Sequence, residues 1–232
     1  MNIILQIVQN ETTISDSLVN SGNSTSTALD ALSLVLKGGI VMIPIGILSI
    51  IAVYLTIERY FTIKKAGVLD SAFMGNIKGM VLNGDIKSAQ TLCHNNGTPI
   101  GLMIEKGLSR IGKPLKDISV AVENVGKLEV YKLEKGMPIL ATISGAAPML
   151  GFLGTVTGMI RTFNQMQDSG QQITADLLSG GIGEAMMTTV AGLIVGIFAY
   201  IGYNLLSSMI NKVVYKMEAT SVEFLDILHE PA

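Results

Sequence analysis

Three stretches of this chain are too long and too apolar to be the strands or surface helices of a soluble domain. Residues 38–57 (GGIVMIPIGILSIIAVYLTI) and 137–160 (MPILATISGAAPMLGFLGTVTGMI) contain no charged residue, and residues 181–206 contain one, Glu184. A helix needs about 20 apolar residues to cross the hydrocarbon of a bilayer, so each stretch predicts a transmembrane helix. Composition agrees, with 49% hydrophobic residues, 15% charged and no tryptophan, and a mean hydropathy of +0.50. That is more apolar surface than a core of this size can absorb, and the excess is expected to face lipid. A net charge of -2 argues against a nucleic-acid partner, and a single cysteine, Cys93, excludes a disulfide within the chain. The opening MNIILQIVQN carries no Lys or Arg before a very short apolar run, a poor match to a cleaved signal, and is expected to be retained.

Basic residues near the span ends set the expected orientation. Arg59, Lys64 and Lys65 follow the first span, Lys127, Lys132 and Lys135 precede the second, and Lys212 and Lys216 follow the third. Only Lys37 and Arg161 flank the opposite side. The N-terminus is therefore expected outside and the C-terminus inside, with residues 58–136 forming a cytoplasmic domain. That domain reads as helical: TPIGLMIEKGLSRI begins at a Thr-Pro start signal. In the following PLKDISVAVENVGKLEVYKLEKGMPIL, Ile118, Val122, Val125 and Leu128 recur at helical spacing, with no strong break before the second span. Pro44 inside the first span is expected to be tolerated because neighbouring groups can satisfy the carbonyl it frees.

The expected organisation is an outer N-terminal segment (1–37), three spans (38–57, 137–160 and 181–206), the helical domain (58–136), an outer connection (161–180) and an inner C-terminal helix or tail (207–232). Residues 1–37 include a polar stretch and then ALDALSLVLK, which with the following GG reads as an amphipathic helix suited to the membrane boundary. The fold class is all-α, a three-span membrane protein whose long helices extend into the helical cytoplasmic domain.

Projection at about 100° per residue divides the second and third spans into unlike faces. On the third, Gly181, Glu184, Ala185, Thr188, Thr189, Gly192, Gly196 and Ala199 share one side, and Met186, Val190, Leu193, Ile194 and Ile197 the other. On the second, Ser144, Ala147, Gly151, Gly154, Thr155, Gly158 and Thr162 lie opposite Met149, Leu150, Leu153 and Ile160. Small faces let helices approach closely or border a central element. For the glycines, packing is the simpler reading. Glu184 carries two: an acid near the interface, favoured by the positive end of its helix, or an ion-relay group, the usual reason for a carboxylate in a span. Each threonine hydroxyl can equally bond its own helix backbone.

The segments PILATISGAAPMLGFLGTVTGMIRTF and LLSGGIGEAMMTTVAGLIVGIFAYIGYN resemble the second and third transmembrane helices of the MotA/TolQ/ExbB proton-channel family, nearest to its ExbB-like members. The resemblance implies a subunit of an inner-membrane motor driven by the proton motive force. Five copies would surround the helices of a two-copy ExbD-like partner that supplies an intramembrane Asp, and a TonB-like protein would carry force to the outer membrane. This chain has no Asp in any of its three spans. By motif, Thr155, Glu184 and Thr189 take the polar positions facing that Asp, and Thr188 extends the track. Gly151, Gly154, Gly158, Ala185, Gly192 and Gly196 form the packing or pore-facing surface. The coupling ion is expected to be the proton, with no cofactor, no metal and no enzymatic step.

Other arrangements are weak. GLSRIGKP falls short of a phosphate loop, because Pro114 replaces the required Ser or Thr and helical sequence precedes it. Cys93 and His94 have no companion ligands in the sequence.

Overall fold

A computed structural model describes residues 39–68, 72–169 and 175–229. Every regular element among them is helical: α1 (Met42–Ala66), α2 (Phe73–Leu82), α3 (Ile86–Asn96), α4 (Pro99–Leu108), α5 (Leu115–Glu134), α6 (Met137–Ser169) and α7 (Ala175–His229). Among the described residues, three stretches are long and apolar enough to cross a membrane: α1, one within residues 115–167 and one within 180–229. The proposed amphipathic helix before the first span lies outside the described residues.

Pro44 is accommodated differently from the expectation. It is the third residue of α1, inside the first turn, where backbone N–H groups have no partner within the helix, so no ladder bond is lost. α1 also continues past the apolar run to Ala66, and α6 and α7 carry helix into residues 161–169 and 175–180, part of the expected connection.

The expected unbroken passage into the second span is broken. α5 ends at Glu134, Lys135 turns extended (ψ 127°), and Gly136 adopts φ +85° before α6 starts at Met137. The positive φ favours glycine over any residue with a Cβ. Close packing adds to this, since a Cβ at Gly136 would stand 3.3 Å from Leu55 Cδ2. Pro138 in the first turn of α6 suits a new start. Arg59 braces the joint, donating to the Lys132 carbonyl (3.2 Å) while its guanidinium grips Glu58 at 2.6 and 2.8 Å.

The described chain divides into two packed units, to both of which α6 and α7 contribute. Of the described residues, the larger comprises 45–68, 72–149 and 192–229. Its core gathers Ile63, Ile77, Ile100, Ile104, Val122, Met217 and Phe224, all nearly or fully inaccessible. Successive helices α2 to α5 pack on their neighbours. Gly97 turns left-handed (φ +58°) after α3, and Thr98 then caps α4 by accepting from the Gly101 N–H at 3.2 Å, with Pro99 as the first helical residue. Gly107 lies against Phe224: a Cβ there would collide with the ring and stand 2.9 Å from Val122 Cγ2. On α5 the buried positions are Ile118, Ala121, Val122, Gly126 and Leu133. Leu128, expected on that face, is exposed, because the buried stripe passes through Gly126, where Met103 fills the space a side chain would take.

Candidate functional site

Of the described residues, the smaller unit contains 39–44, 150–169 and 175–191. Here α6 and α7 run antiparallel, and their contacts step along both helices about one turn at a time. A Cβ on Gly154 would overlap the Thr188 side chain, and one on Gly158 would lie 3.0 Å from Ala185 Cβ. One on Gly181 would overlap Thr162. The small residues thus bring the backbones close enough for each facing side chain to occupy the place of a missing one. Gly151, Gly154, Ala185 and Thr188 are buried, while Met149, Phe152, Leu153, Met186, Val190, Leu193 and Ile194 face outward.

Hydroxyl chemistry runs through this seam. Thr189 Oγ1 donates to the Gly151 carbonyl across the helix pair at 3.0 Å. Thr188 Oγ1 donates to Ala185 of its own helix at 2.7 Å and reaches the same Gly151 carbonyl at 3.3 Å. Two α7 hydroxyls therefore converge on one α6 carbonyl, which the helical ladder also pairs with the Thr155 N–H one turn on. Thr155 Oγ1 donates to the Phe152 carbonyl of its own helix at 2.6 Å, and Thr162 Oγ1 donates to Gly158 at 3.0 Å. Each hydroxyl hydrogen is directed at a backbone carbonyl.

The threonines differ in access. Thr188 is 2% exposed and sits inside the seam, whereas Thr155 and Thr189 are half-buried, within about a turn of each other along the pair. Glu184 lies on α7 one turn before Thr188; its side chain lies outside what the structure describes. Thr162 and Gly181 were placed on the small faces but not among the site residues. Their contact was legible only once the register between the helices was known.

Gly196 and Gly192, in the larger unit, are also buried. A Cβ on Gly196 would stand 2.5 Å from Pro148 Cγ and 3.1 Å from the Ser144 carbonyl oxygen. Pro148 lacks the N–H that would have bonded that carbonyl, so Gly196 closes on the point where the α6 ladder is interrupted. Elsewhere, Cys93 is buried in the helical domain, where burial first and the nearby Glu105 charge second push its thiol up to about 12. The GLSRIGKP segment spans the end of α4 and a turn at Gly112, with no strand before it among the described residues.

Comparison with known proteins bears on this seam. Residues 95–219, more than half of the chain, match the MotA/TolQ/ExbB proton channel family. ExbB-like 1, a biopolymer transport protein of Synechocystis sp., is 32% identical over 176 residues, covering 75% of this chain and 69% of that protein. The Tol-Pal system protein TolQ of Haemophilus influenzae is 35% identical over 104 residues, 45% of each chain. The biopolymer transport protein ExbB of Xanthomonas campestris is 34% identical over 98 residues, 42% of this chain and 38% of that one. The seam's residues on both helices, Gly151 to Thr162 and Gly181 to Thr189, fall inside the matched region, and the chain belongs to the MotA/TolQ/ExbB proton channel family of membrane motor subunits.

Proposed function

We propose that the chain is the ExbB-like subunit of a proton-driven motor in the bacterial inner membrane, working with an ExbD-like partner to energise TonB-dependent transport across the outer membrane. On this reading it forms a homo-oligomer, a pentamer, around the two partner helices that bring the intramembrane Asp. The N-terminus is periplasmic, the C-terminus cytoplasmic, and the coupling ion is the proton; no cofactor or covalent step is involved. The observation that carries it is the convergence of the Thr188 and Thr189 hydroxyls on the Gly151 carbonyl, with Thr155 one turn away. Hydroxyls at that spacing can order water around a carboxyl group that gains and loses a proton. Thr155 and Thr189 are assigned to the route itself. Thr188 fills the gap left by Gly154 and holds the two helices in register. Glu184, one turn toward the start of α7, supplies the chain's own titratable group in the span.

The test is proton flux through the purified complex reconstituted with its partner. Glu184→Gln should reduce flux and energy coupling to near background while the oligomer still assembles, because shape is kept and the titratable charge removed. Normal coupling at normal expression would reassign Glu184 to anchoring. Wild-type flux in an intact Thr155→Val/Thr189→Val double variant would leave the seam as a passive scaffold of packed helices.

The relation to TolQ supports a second reading, a motor serving the Tol-Pal system. Gliding and secretion motors are further alternatives within the family. Co-purification with a TolR-like rather than an ExbD-like partner would favour the Tol reading.

A further inference from the structure

At the basic end of the first span, α1 and α7 open a groove of about 580 Å³ in the larger unit. The helices touch at its deep end, where a Cβ on Gly202 would stand 3.0 Å from Thr56 Oγ1. From there the groove runs along Ile57, Phe61, Leu205 and Met209 to Lys212. Gly202 and Lys212 are ten residues apart on one helix, about 15 Å at 1.5 Å per residue. That is about the depth of one leaflet's hydrocarbon.

The rim at Lys212 is cationic. Lys212 is exposed and has no hydrogen bond or ion pair among the described residues. Lys64 stands 5.8 Å over the ring of Tyr60, which lines the groove. Between residues 56 and 68 and between 202 and 216 the only acid is Glu58, already held by Arg59. An apolar trough one leaflet deep that ends in lysines with no ion pair among the described residues complements one kind of occupant. We propose that this groove binds an anionic phospholipid, with an acyl chain along Ile57, Phe61 and Leu205 and the headgroup phosphate between Lys212 and Lys64.

The experiment uses the intact complex, stripped of lipid in detergent and titrated with phosphatidylglycerol or phosphatidylcholine of identical acyl chains. Native mass spectrometry reads retention, and thermal melting reads stabilisation. Phosphatidylglycerol should be retained and raise the melting temperature, and phosphatidylcholine should do neither. Lys212→Ala should weaken phosphatidylglycerol about fivefold, the effect of one lysine at a membrane surface, and adding Lys64→Ala should weaken it further. Lys212→Arg should restore binding, and Ser208→Trp should block the trough while both lysines remain. Equal retention of the two lipids, unchanged affinity in the double lysine variant, or equal competition by soluble glycerol phosphate would each overturn the assignment. So would photo-crosslinking to another copy in the membrane from a benzoylphenylalanine placed at Leu205, which would show the groove to be a subunit contact.

Discussion

The α6–α7 seam and the core around Phe224 are both helix-on-helix contacts built from opposite kinds of residue. The core uses large side chains, each worth about 1.5–3 kcal/mol when removed from water. The seam uses glycine, alanine and threonine, which bury little area. Water makes the difference. A helix in lipid gains nothing by exchanging acyl chains for leucine, so close backbone approach and hydrogen bonds across the pair must supply the contact. Gly107 against Phe224 is where the two styles meet, a missing side chain making room for a large one.

The largest effect should come from the core. Phe224→Ala should cost about 3–5 kcal/mol, as aromatic truncations in tight cores do, read as earlier denaturant unfolding and new proteolysis among α2 to α5. A loss below about 1 kcal/mol would mean that the ring is not the centre of that packing. Next comes the seam's steric limit. Gly154→Leu should cost about 1–3 kcal/mol by overpacking against Thr188, with loss of the oligomer in native mass spectrometry. An unchanged oligomer would remove close approach as the seam's organising feature.

Smaller effects should separate the hydrogen bonds from the fit. Thr188→Val and Thr189→Val should each cost about 0.6 kcal/mol, the average for such bonds between membrane helices. Because both hydroxyls address Gly151, the double variant should lose less than the sum. Full additivity would show that the two bonds do not share their acceptor. The smallest effect at neutral pH concerns Cys93, which should resist thiol reagents at pH 8 until the domain unfolds. An unfolded thiol ionises near pH 8.5, whereas the folded one holds its proton up to about 12. The domain's stability should therefore be unaffected below about pH 8.5 and fall as pH rises toward 12. Rapid labelling of folded protein at pH 8 would contradict the burial.

The spans, the small faces and the start of α4 could be read from the sequence because period, length and capping chemistry are local. The break at Gly136 was present as a Gly followed two residues later by Pro138, yet apolar periodicity on both sides masked it. The exposure of Leu128 could not be read, because it depends on Met103 arriving at Gly126 from another helix. The pairing of Thr162 with Gly181 was hidden for the same reason: faces follow from one helix alone, and register needs two.

The direction of the threonine hydroxyls has a consequence for any acid that approaches. With each hydrogen given to a backbone carbonyl, Thr155 and Thr189 have only lone pairs left to offer. A neutral carboxyl group can donate to them; an ionised one meets oxygen facing oxygen. Releasing that proton requires either a reoriented hydroxyl or a carboxylate that has moved away, so the state of charge and the position of the acid become one variable.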